Sequence, residues 1–204
     1  MNLLGRRESH FIFLDNVRVP GDHLIGGDHQ GWQVANSGLE LEHGGGGAAF
    51  PENVAVENLL KYVRTTRANG GTLGQDSIVQ QSTMSSYMDA HVQGLLARRT
   101  FWMYTNRQDV VYEGNEANVH GRESGLRTAR RVRDVMGMYA MLGGRDPRAA
   151  HGGAPAVRQM GAAGQNHAAG STNIAKVVLA RRIGISRTKE RPAPTPATMG
   201  RAAN

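Results

Sequence analysis

The stretch from Asp76 to Tyr112 constrains the fold of this chain more than any other. Met84, Tyr87, Met88, His91, Leu95 and Trp102 recur along it at helical spacing. The pattern predicts one long helix, with Asp76 or Ser77 as its N-terminal cap. A helix of that length has an apolar face that other elements must cover. The same spacing predicts helices over Trp32–His43 (Trp32, Ala35, Leu39) and about Glu52–Arg67 (Val54, Leu59, Leu60, Val63). It predicts another over Ser124–Leu142 (Leu126, Val132, Val135, Met136, Tyr139). The Met and aromatic stripe is then core, His91 is a satisfied core histidine, and Arg127, Arg130, Arg131 and Arg133 form a solvated face.

Between these helices the chain is punctuated by breakers. Gly44–Gly47 and Pro51 interrupt the first helical run, as a bend, a close backbone approach or an insertion. Asn69–Gly74 reads as a turn, Glu113–Glu123 as a polar loop, and Gly143–Ala169 as a long Gly/Ala-rich excursion. Within that excursion one short helical turn is expected near Val157–Met160. Upstream, Glu8–Val19 has alternating Phe11 and Phe13 followed by Pro20 and Gly21, which predicts one strand and a turn. A lone strand needs hydrogen-bond partners that the sequence does not obviously supply. The expected fold is mainly α: an antiparallel up-down-up-down four-helix bundle with a short N-terminal β-strand remnant. Its parts are a strand and connector over 1–30, a helical domain over 31–187, and a Pro/Ala-rich tail over 188–204 expected to be disordered.

Composition narrows the function. The 204 residues suffice for one core of ordinary size, and 39% are hydrophobic. There is no cysteine, which excludes a disulfide framework, thiolate metal sites and a cysteine nucleophile. No apolar run approaches the roughly 18–20 residues of a membrane span, and the start resembles no signal peptide, so a cytoplasmic location is expected. The net charge of +7 raises nucleic-acid binding. Against it, the arginines are scattered, no aromatic residues interleave with them, and no zinc-finger or RNP pattern occurs.

The segment Ala168–Arg187, AAGSTNIAKVVLARRIGISR, carries the sharpest motif. Gly170 and Ser171 precede Ile174, Val177, Val178 and Arg181 at helical spacing, and Gly184 ends the run. Ser171 or Thr172 can cap this helix, whose first amides carry partial positive charge suited to a phosphate or carbonyl oxygen. The order Gly-Ser-x-x-Ile-x-Lys, an aliphatic run, Ala-Arg and Ile-Gly resembles the C-terminal signature of acyl-CoA dehydrogenases. Phe11 to Gly26, FIFLDNVRVPGDHLIG, closed by Gly31-Trp32, resembles the last strand of that family's middle domain and its exit into the helical domain.

The resemblance implies FAD, a CoA thioester substrate and α,β-dehydrogenation, with a carboxylate as the base. It also implies assembly with like subunits, as a homo- or hetero-oligomer in which each flavin meets a neighbour's helical domain, and electron-transfer flavoprotein as the acceptor. Many members place the base directly before the Gly-Thr motif, but that position here is Ala169. Others place it on the first helix in an L-x-x-E-R pattern, which falls on Glu42. By the same resemblance Gly170, Ser171 and Asn173 contact FAD, while Gln81, Met136 and Gly137 contact a neighbour's FAD. Glu40, His43 and Arg181 fall toward the substrate, and no residue is assigned to a metal. His43 and Gln80 stand where the family has arginines. The family's N-terminal helical domain and most of its middle β-domain have no counterpart here, so activity is expected to require them. The competing expectation is a non-catalytic helical oligomerisation or partner subunit.

Overall fold

The computed structural model describes residues 10–35, 38, 52–165 and 170–186. It is mainly helical. A helical stretch at 31–35 is followed, after residues outside the described set, by α1 (Val54–Thr65). Asn53 starts α1 by accepting from the amides of Ala55 and Val56 at 3.2 and 3.4 Å. Ala55, Val56, Leu59 and Val63 are its buried stripe. A hairpin follows, with β1 (Arg67–Ala68) antiparallel to β2 (Gly71–Thr72) and Arg67 opposite Thr72. Asn69 and Gly70 take φ of 51° and 83° there, the geometry of a two-residue hairpin turn.

Asp76 then caps α2 (Ser77–Thr105), accepting from Ile78 N at 2.8 Å and Val79 N at 3.1 Å. After it come α3 (Glu113–Met136), a tight turn at Gly137–Met141, α4 (Ala154–Gln165) and α5 (Thr172–Arg182). Helix α3 runs antiparallel to α2, with Arg127 and Arg131 against Asp89, His120 against Gln93, and Glu113 against Arg99. The apolar core gathers where α1, α3 and the 137–141 turn meet, from Leu59, Val63, Val132, Met136 and Ala140. Both α4 and α5 pack on α3.

Several expectations change. Residues 10–19 form no strand, because no described neighbour offers the ladder that a strand requires; Phe11 and Phe13 are almost fully exposed. The only sheet among the described residues is the 67–72 hairpin. Helix α2 ends at Thr105 rather than near Tyr112. The segment 113–123 is the first half of α3, not a loop. Glu113 Oε2 accepts from the amides of Val111 and Tyr112 at 3.0 Å, and Glu113 and Glu116 lie in the first turn, where the helix dipole favours negative charge. Helix α3 in turn stops at Met136. The Gly/Ala-rich excursion contains all of α4, with Pro155 in its first turn, where the missing N–H costs nothing.

The largest correction concerns the face of α2. Its buried positions are Thr83, Ser86 and Thr100, whereas Met88, Leu95 and Trp102 are each close to 60% exposed. His91 is exposed and stacks on Tyr87, with ring centroids 5.2 Å apart. The arginine face also divides. Arg130 and Arg133 are exposed, but Arg127 and Arg131 turn inward to Asp89. Among the described residues no helix is long and apolar enough to cross a membrane. The expected tail from 188 lies outside the described residues, as does the Gly44–Gly47 breaker.

Candidate functional site

The entry to α5 is built from polar contacts. Gly170 adopts φ +84°, a conformation that side chains rarely take, and a Cβ there would meet nothing within 4 Å. Its carbonyl accepts from the Arg122 guanidinium of α3. Ser171 Oγ caps α5 by accepting from Ile174 N at 3.2 Å, while its hydroxyl hydrogen stays available to donate. Lys176, one turn into α5, pairs with Glu123. Arg182 at the far end donates to the carbonyl of Val111. Asn173 is exposed, Arg181 is half-buried, and Thr172 is the one buried residue of the helix.

Behind this entry a charge network crosses α3 to α2. Glu123 lies 3.9 Å from Arg127, which forms two hydrogen bonds to Asp89 at 3.0 and 3.1 Å. Arg131 reaches the same carboxylate at 2.7 Å. Hydrogen bonding from Arg127, reinforced by Arg131, holds the Asp89 carboxyl below its ordinary range against the opposing effect of burial. Arg127 is correspondingly raised by Asp89. None of this network is legible in the sequence as a site, although Glu123 and Arg127 have the i,i+4 spacing of a helical ion pair.

The remaining cofactor candidates lie elsewhere. Gln81, exposed on the first turns of α2, and the Met136–Gly137 junction share one end of the α2–α3 pair, where Val79 packs on the cluster containing Met136. The Met136 side chain belongs to the core, so only its backbone and the exposed Gly137 could meet a ligand. Between Arg122, beside Gly170, and Met136 run about four turns of α3, roughly 21 Å at 1.5 Å per residue. The fold therefore keeps Gln81, Met136 and Gly137 apart from Gly170, Ser171 and Asn173. Glu40, Glu42 and His43, like Ala169, lie outside the described residues.

Two hollows flank these elements. A cleft of about 430 Å³ between the start of α1 and α2 is lined by Glu52, Asn53, Tyr87, His91, Leu95 and Arg98, among others. It has the size of a small-ligand pocket. An apolar pocket of about 60 Å³ beside Leu59 and Met136 is too small for one. Among the described residues no cluster of three or more His, Asp or Glu could hold a metal. The chemistry of the α5 entry fits an anionic, phosphate-bearing group: a helix start with small residues, a hydroxyl donor and an exposed carboxamide.

The geometry thus defines a helical domain whose last helix starts at a serine cap backed by charge pairs. The family model for the acyl-CoA dehydrogenase C-terminal domain matches residues 29–184. The chain belongs to the acyl-CoA dehydrogenase family. Its fold is similar to that of the prolyl acyl carrier protein oxidase AnaB, at 21% identity and a TM-score of 0.71 over 84% of this chain and 44% of that one. The FAD complex of PigA is matched at 18% identity and a TM-score of 0.72, over 84% of this chain and 43% of that one. The glutaryl-coenzyme A dehydrogenase glutaryl-CoA complex is matched at 18% identity and 0.69, over 89% and 45%. The chain spans less than half the length of each of these relatives. No curated protein matches it in sequence.

Proposed function

We propose that this chain is the C-terminal part of an FAD-dependent acyl-CoA dehydrogenase and contributes residues to flavin sites shared between copies. The observation that carries this reading is the separation of the two candidate groups. Gly170, Ser171 and Asn173 sit about four turns of α3 away from Gln81 and Gly137, so each group would serve a different flavin. The exposed apolar stripe of α2 supports association, since monomers rarely leave such a surface open. The up-down-up-down bundle belongs to the same proposal, with α4 and α5 in succession along α3 as its last member.

In this reading bound FAD supplies the hydride acceptor for α,β-dehydrogenation of a CoA thioester. Glu42 takes the proton from the α-carbon as the β-carbon loses its hydride and the double bond forms. A carboxylate held away from water beside the substrate has its pKa raised, which suits it to this task. Glu40, His43 and Arg181 would contact the acyl-CoA. The Ser171 hydroxyl and the first amides of α5 would donate to a flavin phosphate, and the Asn173 carboxamide would orient it. Electron-transfer flavoprotein is the proposed acceptor, and the setting cytoplasmic.

With the remaining domains supplied as a companion polypeptide, Glu42→Gln is expected to retain flavin and lose turnover by several orders of magnitude. Normal turnover by that variant would overturn the assignment of the base. A second reading, a non-catalytic oligomerisation or partner subunit, is favoured by Ala169 at the family's other base position. It predicts association through α2 without any flavin.

A further inference from the structure

Helix α2 has two unlike sides. The inner one carries the buried Thr83, Ser86 and Thr100, and Asp89 pairs from it with α3. On the outer side Met84, Met88, Val92, Leu95 and Trp102 recur at steps of four, four, three and seven residues, so they share one face. Each is between 43% and 59% exposed. Together they present on the order of 500 Å², the apolar share of one side of a standard homodimer interface, about 800 Å² and about 65% apolar. The row is also balanced about its middle. Val92 and Leu95 flank the centre, and Met84 and Trp102 lie at nearly equal distances beyond it. Laid antiparallel on itself, it sets Val92 against the partner's Leu95 and Met84 beside the partner's Trp102, a favourable sulfur–aromatic contact. Arg99 lies between Leu95 and Trp102 on the same face and decides the direction. A parallel pair would set it on the partner's Arg99, like charge against like. The antiparallel pair sets it beside the partner's Met88 and parts the two arginines by roughly 16 Å along the axis.

We propose that two copies of this chain pair their α2 helices antiparallel across a twofold axis that passes between Val92 and Leu95. Such an interface is isologous, with the same row of side chains on both copies. This deepens the shared-site reading by naming the partner as a second copy and giving its orientation, and it rests on that reading only for the flavin.

The chain has no cysteine, so single substitutions report the pairing without background. Full chains carrying Leu95→Cys, Met84→Cys or Trp102→Cys are oxidised mildly in dilute solution without flavin, and the products are read by mass. Leu95→Cys, next to the axis, should give a covalent dimer. Met84→Cys and Trp102→Cys should each give little alone, because each lies roughly 25 Å or more along the axis from its own counterpart, beyond the reach of a disulfide. Mixed together, those two should form a disulfide with each other. Disulfides from each of the two alone, with none between them, would mean parallel pairing and overturn the orientation. No covalent dimer from Leu95→Cys would mean that something other than a second copy covers the row, and would overturn the proposal even if Trp102→Cys failed to fold. The expected pattern in a chain that takes up no FAD would remove the flavin reading and leave the pairing standing.

Discussion

Helices α1 and α5 have similar lengths and comparable aliphatic content, yet they are held by different forces. Helix α1 buries Val56 and Leu59 to about 1% exposure and forms the floor of the core. Helix α5 leaves Ile174 61% and Val177 41% exposed and is fastened to α3 by Arg122, Glu123 and Arg182. One end of the molecule is therefore a packed core, and the α5 side is an electrostatically clamped surface element. The difference places the rigid part under α1 and the adjustable part at the proposed cofactor contact. Elements of low burial are the ones free to respond to a ligand.

Substitutions on each side put this contrast at risk. Leu59→Ala should cost about 3 kcal/mol in denaturant unfolding, the usual size for a buried leucine. A cost under about 1 kcal/mol would mean that the α1 core is not the stabilising centre. Asp89→Asn, which leaves Arg127 and Arg131 without their carboxylate, should cost about 2 kcal/mol near neutral pH. Because the folded-state pKa of Asp89 is depressed, its stabilisation is present above the ordinary value of 3.8 and is lost as pH falls through the lower folded value. The variant should therefore have a shallower acid limb than the parent, and an identical acid limb would contradict the pairing. Lys176→Ala should cost only about 0.5 kcal/mol, and less in high salt, since both partners of its pair are partly exposed. Met88→Glu should change stability by less than about 0.5 kcal/mol and yet shift sedimentation toward monomer. Unaltered association in that variant would remove the α2 stripe from the interface.

Much of the helical framework is legible in the sequence. Asn53, Asp76 and Ser171 each do what their type suggests, and α1 buries Leu59 and Val63 as its spacing predicts, although Val54 is exposed, Leu60 is half-buried, and Ala55 and Val56 complete the buried stripe. The direction that a stripe faces is not legible. Met84, Met88 and Leu95 have the same period whether they cover their own core or a neighbour's, and it is the small polar Thr83, Ser86 and Thr100 that α2 turns inward. The first half of α3 is hidden because Glu113, Gly114 and Ala117 provide no apolar stripe although they are buried. Helix α4 is hidden because Ala156 and Ala162 pack through smallness rather than bulk. The candidate site residues come from motif order. The Arg122–Gly170 contact joins residues far apart in sequence and has no local signal.

If each copy contributes a different group of residues to a flavin, then flavin binding by this chain requires more than one copy. The decisive experiment is sedimentation of the full chain with FAD and the companion polypeptide that supplies the remaining domains, followed at the flavin's visible band. The visible signal should travel with a species holding two or more copies of this chain and be lost with Met88→Glu. Flavin travelling with a single copy, or with no protein species at all, would contradict the shared site.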